Sequence, residues 1–262
     1  MLSRLYNHIG LIKTLTIRDI SSRYKGSFFG VLWTLINPIM MLAVYTFVFS
    51  VVFKARWPGG TGSKIEFALL LFSGLIVYNI FSECVNKSPL LIVNNPNFVK
   101  KIIFPIEILP IVSVISSLFQ ALMSFIVWGV FYSIFSGFPP LTIFFLPVVL
   151  LPLVFITLGI SWFLAALGVY IRDVSQMTGL ITTALLFLSP VFYSVDSLPE
   201  QFQDLMKINP LTLIIEQVRD VMIWGRPVNI IDFLLITVFS LIILIFGYLF
   251  FKRTKKGFAD VL

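Results

Sequence analysis

The sequence predicts an all-α integral membrane protein with six spanning helices, and three observations lead there. The 262 residues are 58% apolar and only 12% charged, with a mean hydropathy of +1.01; a soluble domain carries about 25% charged residues. A soluble chain so poor in charge would expose large apolar patches, whereas lipid removes the need for a polar surface. Charge-free runs reach the ~20 residues that cross a bilayer, and Lys and Arg flank those runs.

The chain reads as one transmembrane domain, 1–262. Residues 1–27 form a cytoplasmic stretch in which Leu2, Leu5, Ile9 and Ile12 recur at helical spacing, with Arg4, Asn7 and Lys13 off that stripe. This suits an amphipathic helix in the interface plane, or an ordinary helix packed on the bundle. The first apolar run is too far in and too long for a signal peptide's apolar region, so the first span is expected to stay in the membrane. The spans fall at about 28–53, 67–85, 108–135, 147–171, 174–195 and 231–251, with Pro147 and Pro152 marking the start of the fourth.

Segment 86–107 is polar and carries Pro89, Pro96 and Pro105, which interrupt helices by removing a donor and crowding the preceding turn. One short helix is expected there, around Phe98 to Ile103. Residues 196–228 hold two short outer helices. The first has Ser197 as N-cap three residues before Glu200, presents Leu198, Phe202, Leu205 and Met206 on one face, and stops at Asn209-Pro210. The second starts near Thr212, with Ile214, Val218 and Val221 on one face and Glu216 and Asp220 off it, and ends at Gly225 and Pro227. Apolar faces alone do not distinguish dipping into the membrane from lying flat on it.

Charge sets the orientation. With both termini inside, the inner segments hold thirteen basic and five acidic residues, a net of +8, and the outer segments six basic and seven acidic, a net of −1. The opposite orientation would violate the preference of Lys and Arg for the cytoplasmic side. The overall charge of +7 is therefore a matter of topology and calls for no nucleic acid.

The chemistry-bearing residues are few. One cysteine, Cys84, excludes an intrachain disulfide, and one histidine, His8, argues against a metal cluster or a Ser-His-Asp triad. Residues Gly59 to Lys64 look like a phosphate loop but lack its spacing, so no ATP site is visible. The acidic residues Glu66, Glu83, Glu107, Asp173 and Asp232 sit at span ends, which disfavours an ion-coupled carrier. Among many core and lipid-facing aromatics, Trp33, Tyr45, Tyr78, Trp128, Tyr132, Trp162, Tyr170 and Tyr193 have amphipathic rings suited to stacking on sugars along a path.

An ordered set of short stretches carries a resemblance. It comprises Arg18-Asp19-Ile20-Ser21-Ser22-Arg23-Tyr24-Lys25-Gly26-Ser27 with Gly30-Val31-Leu32-Trp33 and Asn37-Pro38; Lys100-Lys101-Ile102-Ile103-Phe104-Pro105 with Glu107-Ile108-Leu109-Pro110; Arg172-Asp173-Val174; Ser189-Pro190-Val191-Phe192-Tyr193; Leu198-Pro199; and Asn209-Pro210-Leu211. Together they resemble the transmembrane subunit of type-2 ABC exporters for polysaccharides, the group of O-antigen, capsule and teichoic acid exporters, over nearly the whole chain.

The resemblance implies a homodimeric channel in the bacterial cytoplasmic membrane. Two separate ABC ATPase subunits would hydrolyse ATP-Mg, and this chain would carry no cofactor of its own. It further implies a coupling helix after the second span, re-entrant outer helices that gate the exit, and a glycan carried on undecaprenyl pyrophosphate. Asn97, Phe98, Lys100 and Lys101 then become the expected contacts to the ATPase, against the plainer reading of a solvated loop. Arg18, Arg23, Tyr24 and Lys25 become the expected receivers of the pyrophosphate, against plain positive-inside anchoring. The rival functions are an ABC permease for a drug or small lipid, and a membrane-embedded lipid-linked glycan transferase. A transferase calls for polar catalytic residues clustered near one membrane face, and the sequence shows no such cluster.

The charge asymmetry makes a direct prediction. In intact cells a Gly60→Cys variant should react with a membrane-impermeant thiol reagent from outside; labelling only from the cytoplasmic side would reverse the topology.

Overall fold

The computed structural model describes residues 8–52, 56–60, 62–100 and 104–262. Leu2, Leu5, Arg4 and Lys101 lie outside them. Among the described residues the regular structure is helical throughout, with α1 at Ile9–Arg23, α2 at Trp33–Tyr45, α3 at Lys64–Lys87, α4 at Pro96–Lys100, α5 at Ile108–Ser136, α6 at Leu151–Tyr170, α7 at Val174–Leu188, α8 at Glu200–Ile208, α9 at Pro210–Arg219, α10 at Ile230–Thr254 and α11 at Phe258–Val261.

Among the described residues, five stretches are long and apolar enough to cross a membrane: Gly30–Phe49, Lys64–Leu90, Ile108–Ser136, Leu141–Tyr170 and Ile230–Val261. The expected fifth span, 174–195, is a helix of only 15 residues, α7. Its early end follows from Pro190, which lacks an N–H and pushes the residue before it out of the helical region; Ser189 is extended, at φ −109° and ψ 149°. The first span is not one regular helix. A 3-10 turn at Gly30–Leu32 leads into α2, which loosens into a π turn over Thr46–Val52.

Local chemistry places the other boundaries. Ser63 accepts a hydrogen bond from the Ile65 N–H at 3.3 Å, and Gly59 and Gly62 take positive φ, so the glycine-rich stretch is a turn and a helix cap. Pro147 and Pro152 each sit in the first turn of a helix, the short Leu146–Val149 and then α6, where a missing N–H costs nothing. Pro96 likewise opens α4 instead of breaking it, which moves the expected helix earlier than Phe98; residues 101–103 lie outside the described residues. Ser197 does not cap α8. It lies in a 3-10 turn and bonds back to the Ser194 carbonyl, and α8 starts after Pro199. Asn209 ends α8 and caps α9, its Oδ1 accepting from the Leu211 N–H at 3.0 Å.

Helix α3 is the axis of the bundle. It is buried on nearly all sides because α2, α5, α6, α7 and α9 all pack against it. Outward faces elsewhere are apolar and exposed, as in Leu234, Leu235, Val238 and Ile242 of α10. A second, smaller core joins Ile92, Ile106, Trp162, Val169, Phe251 and Phe258. It seats segment 88–107 and α11 against the ends of α6 and α10. Helix α1 packs through Leu11, Ile12 and Leu15 on Ile108 and Val112 of α5, while Ile9 and Ile17 stay exposed.

Helices α6 and α10 touch backbone to backbone. A Cβ placed on Gly247 would fall 2.0 Å from the Gly159 carbonyl oxygen, and one on Gly159 would fall 2.5 Å from the Ile243 oxygen. Small residues of this kind let membrane helices approach closely, where dispersion replaces the hydrophobic effect as the force between them. Gly247→Ala should therefore lower the thermal unfolding midpoint in detergent, at a cost of about 1–3 kcal/mol. Gly129→Ala on α5, where a Cβ meets nothing within 4 Å, should be neutral or stabilising; equal effects at both sites would refute the contact.

Candidate functional site at the two ends of the bundle

The two ends of the bundle are held by different chemistry. At the α1 end, charges pair between elements distant in sequence. Arg23 Nη1 meets Glu83 of α3, and its Nη2 donates to Asp19 Oδ2 at 3.2 Å. Lys87 Nζ donates to the other Asp19 oxygen at 2.6 Å. Burial alone would raise the Asp19 carboxyl, but Lys87 and Arg23 hold it below the ordinary carboxylate range. Tyr24 OH donates to Gln120 Oε1 at 3.1 Å, and Gln120 Nε2 donates to the Thr34 carbonyl at 3.2 Å, which ties α1 to α5 and α2.

Of the four cluster residues expected near the lipid headgroups, Arg23 and Tyr24 are thus engaged within the chain. Arg18 and Lys25 are exposed and pair with no carboxylate among the described residues. Segment 88–107 is anchored from both sides. Lys255 Nζ donates to Glu107 Oε2 at 2.7 Å, and Trp162 Nε1 donates to the Glu107 carbonyl at 2.9 Å. Phe98 is half-buried and stacks on Phe104, ring centroids 4.2 Å apart at 10°. Asn94 and Asn97 of this segment are exposed.

The opposite end is organised by Arg219, which is 3% exposed. Its Nη1 and Nη2 donate to the carbonyls of Pro190 and Val191 at 2.6 and 2.9 Å, and its Nε to the Leu70 carbonyl at 3.1 Å. The guanidinium carbon lies 4.4 Å from the Trp57 ring centroid, within cation–π range. Gly74 makes the room, since a Cβ there would lie 2.8 Å from Arg219 Nη2. Ile214, Val218 and Val221 are buried as the spacing predicts, and Gly225 ends the helix at φ +65°. Glu216 and Asp220 line a cavity of about 370 Å³ beside Arg219 and Arg226. Burial raises both carboxyls, with Arg219 opposing for Glu216 and Arg226 for Asp220. Helix α8 buries none of its residues, and Phe202, Leu205 and Ile208 are exposed.

The candidate path aromatics divide into two groups. Trp128 and Trp162 are fully buried, their N–H groups bonded to the carbonyls of Leu69 and Glu107, and Tyr78 bonds the Thr182 carbonyl across to α7; these three are packing residues of the single chain. Tyr45, Tyr132, Trp33 and Tyr193 keep part of their surface open. Tyr170, exposed, bonds the Thr254 carbonyl at 2.8 Å.

Sequence reading missed Arg219, which had counted only as an outer charge. The signal was present: it continues the i, i+4 row from Leu211 and Ile215, so a cation falls on an apolar stripe. Asp19–Arg23 was likewise legible as a facing i, i+4 pair of opposite charge; Glu83 and Lys87 have the same spacing, yet they pair with Arg23 and Asp19 of α1.

The sequence matches the family described as ABC-2 type transporter over residues 10–223. It is 28% identical over 254 residues to the O-antigen export system permease protein RfbA of Klebsiella pneumoniae, covering 96% of this chain and 95% of that one. It is 25% identical over 262 residues to the protein of the same name in Myxococcus xanthus, covering 99% and 98%. It is 23% identical over 255 residues to the polysialic acid transport protein KpsM of Escherichia coli, covering 94% of each chain.

The Arg219 cage predicts that no other side chain substitutes. Arg219→Lys keeps the charge but offers one ammonium where three directions are needed. Arg219→Met leaves buried carbonyls unserved, at about 1–3 kcal/mol for a group so stranded. Both should lower the thermal midpoint markedly; a Lys variant as stable as the parent would show that charge alone suffices.

Proposed function

The chain belongs to the ABC-2 type transporter family, and on that premise we propose that it is the channel-forming permease of an ATP-driven exporter that moves a lipid-linked, O-antigen-like polysaccharide across the bacterial cytoplasmic membrane. The observation that carries the reading is similarity running through almost the whole chain to permeases named for O-antigen export and polysialic acid transport. The sequence offers no phosphate loop, so the energy comes from two copies of a separate ATPase that binds ATP-Mg. Two copies of this chain line the path.

In this reading the α1 end faces the cytoplasm, as its basic excess favours, and α7 completes a sixth crossing together with the chain beyond Leu188. Segment 86–107 receives the ATPase, with Asn97 exposed on α4 and Phe98 seating that helix on the chain's own core. Helices α8 and α9 form the re-entrant exit gate, with Arg219 at its hinge. Arg23 and Tyr24 hold α1 in place. Arg18 and Lys25 remain open to phosphate groups at the membrane surface, the undecaprenyl pyrophosphate of the cargo among them. Tyr45, Tyr132, Trp33 and Tyr193 are the rings available to a passing sugar.

The test is to delete the protein from its host and identify what accumulates inside. A lipid-linked glycan is expected; a small lipid or drug-like solute, or no accumulated cargo, would overturn the reading. Phe98→Ala removes the stacking on Phe104 that seats α4 and should weaken retention of the ATPase on purification through the displaced helix. Normal retention and normal export together would remove this segment from the mechanism.

A further inference from the structure

Beneath α1 lies a cavity of about 340 Å³, closed by the ends of α3 and α5 and by the turn after α3. Its floor is apolar, with Leu15, Leu109 and Val112, and its rim carries Arg18, Lys87 and Asn94. Arg18 pairs with no carboxylate among the described residues; its guanidinium carbon lies 6.0 Å from the Phe98 ring centroid. Lys87 gives one N–H to Asp19, which leaves two for another acceptor. Asp19 itself is neutralised by Lys87 and Arg23.

Ser113 also lines the cavity. It is 2% exposed, and its hydroxyl has beside it only the Cys84 thiol, a weak partner. A buried hydroxyl without a strong partner is costly, and an acceptor in the cavity would relieve it. Donors therefore converge on a site with no free acceptor charge, over an apolar floor. Ile9 and Ile17 on the same helix are exposed, an apolar edge that suits a helix lying at a membrane surface.

We infer that this cavity binds the phosphate of an anionic phospholipid, with Arg18, Lys87 and Asn94 as donors, Ser113 beneath them and the glycerol region over Leu15 and Val112. The bound lipid would bridge α1 to the segment after α3. The inference rests on the functional reading only in taking α1 to lie at a membrane surface; it needs neither glycan nor ATPase.

The experiment uses the full chain in phosphatidylcholine nanodiscs with graded phosphatidylglycerol. Retained lipid is read by native mass spectrometry and stability by thermal midpoint. Phosphatidylglycerol should be retained over phosphatidylcholine and raise the midpoint. Arg18→Gln should cut that preference about tenfold, the loss of one charge-assisted hydrogen bond, and Asn94→Ala should cut it less. Lys13→Gln removes an equal charge from an exposed position on the same helix, outside the cavity, and should leave the preference intact.

No preference for phosphatidylglycerol, or equal losses in the Arg18 and Lys13 variants, would overturn the proposal. So would equal stabilisation by inorganic phosphate in phosphatidylcholine alone, which would assign the cavity to a free anion. Because no cargo or ATPase is present, any of these failures leaves the polysaccharide reading untouched, and failure of that reading leaves this site standing.

Discussion

Arg219 answers a demand that the surroundings impose on the backbone. Where water is scarce, an amide or carbonyl must find its partner within the protein, which is why regular helices dominate membrane interiors. This chain breaks that rule at Ser189-Pro190, where α7 stops and the next carbonyls lose their helical donors. A guanidinium with its donors in a fixed fork suits the vacancy, and it reaches Pro190 and Val191 while also donating to the Leu70 carbonyl, which Ser73 Oγ shares. The rest of that end follows. Helix α9 must lie against α3, Gly74 must stay bare, and Trp57 must cover the remaining face of the cation.

The α1 end meets the same difficulty with side chains in place of backbone. Its ion pairs join α1 to α3 and the start of α5 to the end of α10. Each is partly open to solvent, so each contributes modestly to stability; their value lies in register. Asp19 and Arg23 cannot meet Lys87 and Glu83 together unless α1 sits at one height along α3, and Glu107 fixes the start of α5 against α6 through its carbonyl and against the end of α10 through its carboxylate. One end is thus built from charge pairs that can exchange with water, and the other from a cation sealed among carbonyls.

The class of fold was plain in the sequence because hydropathy and charge bias are properties of whole segments and survive any packing. The α9 face was plain for a related reason, since Ile214, Val218 and Val221 repeat at helical spacing and all three are buried. Boundaries were less legible. Ser197 has the right residue type and spacing for a cap, yet it bonds backwards to Ser194, a choice decided by the chain's path after Tyr193. Pro96 carries the same chemistry whether it stops a helix or opens one. The sites were harder still. Phe98 looked like an anchor for another protein, but its ring lies flat on Phe104, a partner six residues away that no periodicity marks. Arg23 looked free for phosphate because nothing in sequence brings Glu83 to it. Pairings across 60 or more residues depend on how the spans are arranged around α3, and single-sequence reasoning leaves that arrangement open.

The shortness of α7 has a consequence for the membrane itself. Fifteen residues rise about 22 Å, against a hydrocarbon thickness of about 30 Å, and the helix shows Met177, Leu180, Ile181 and Phe187 outward. A helix that short does not cross the hydrocarbon alone; in the proposed reading the chain beyond Leu188 completes the depth, with carbonyls that Arg219 holds. On that reading, a bilayer that thickened or thinned there would load this irregular stretch, and acyl-chain length would become a variable of the protein's conformation.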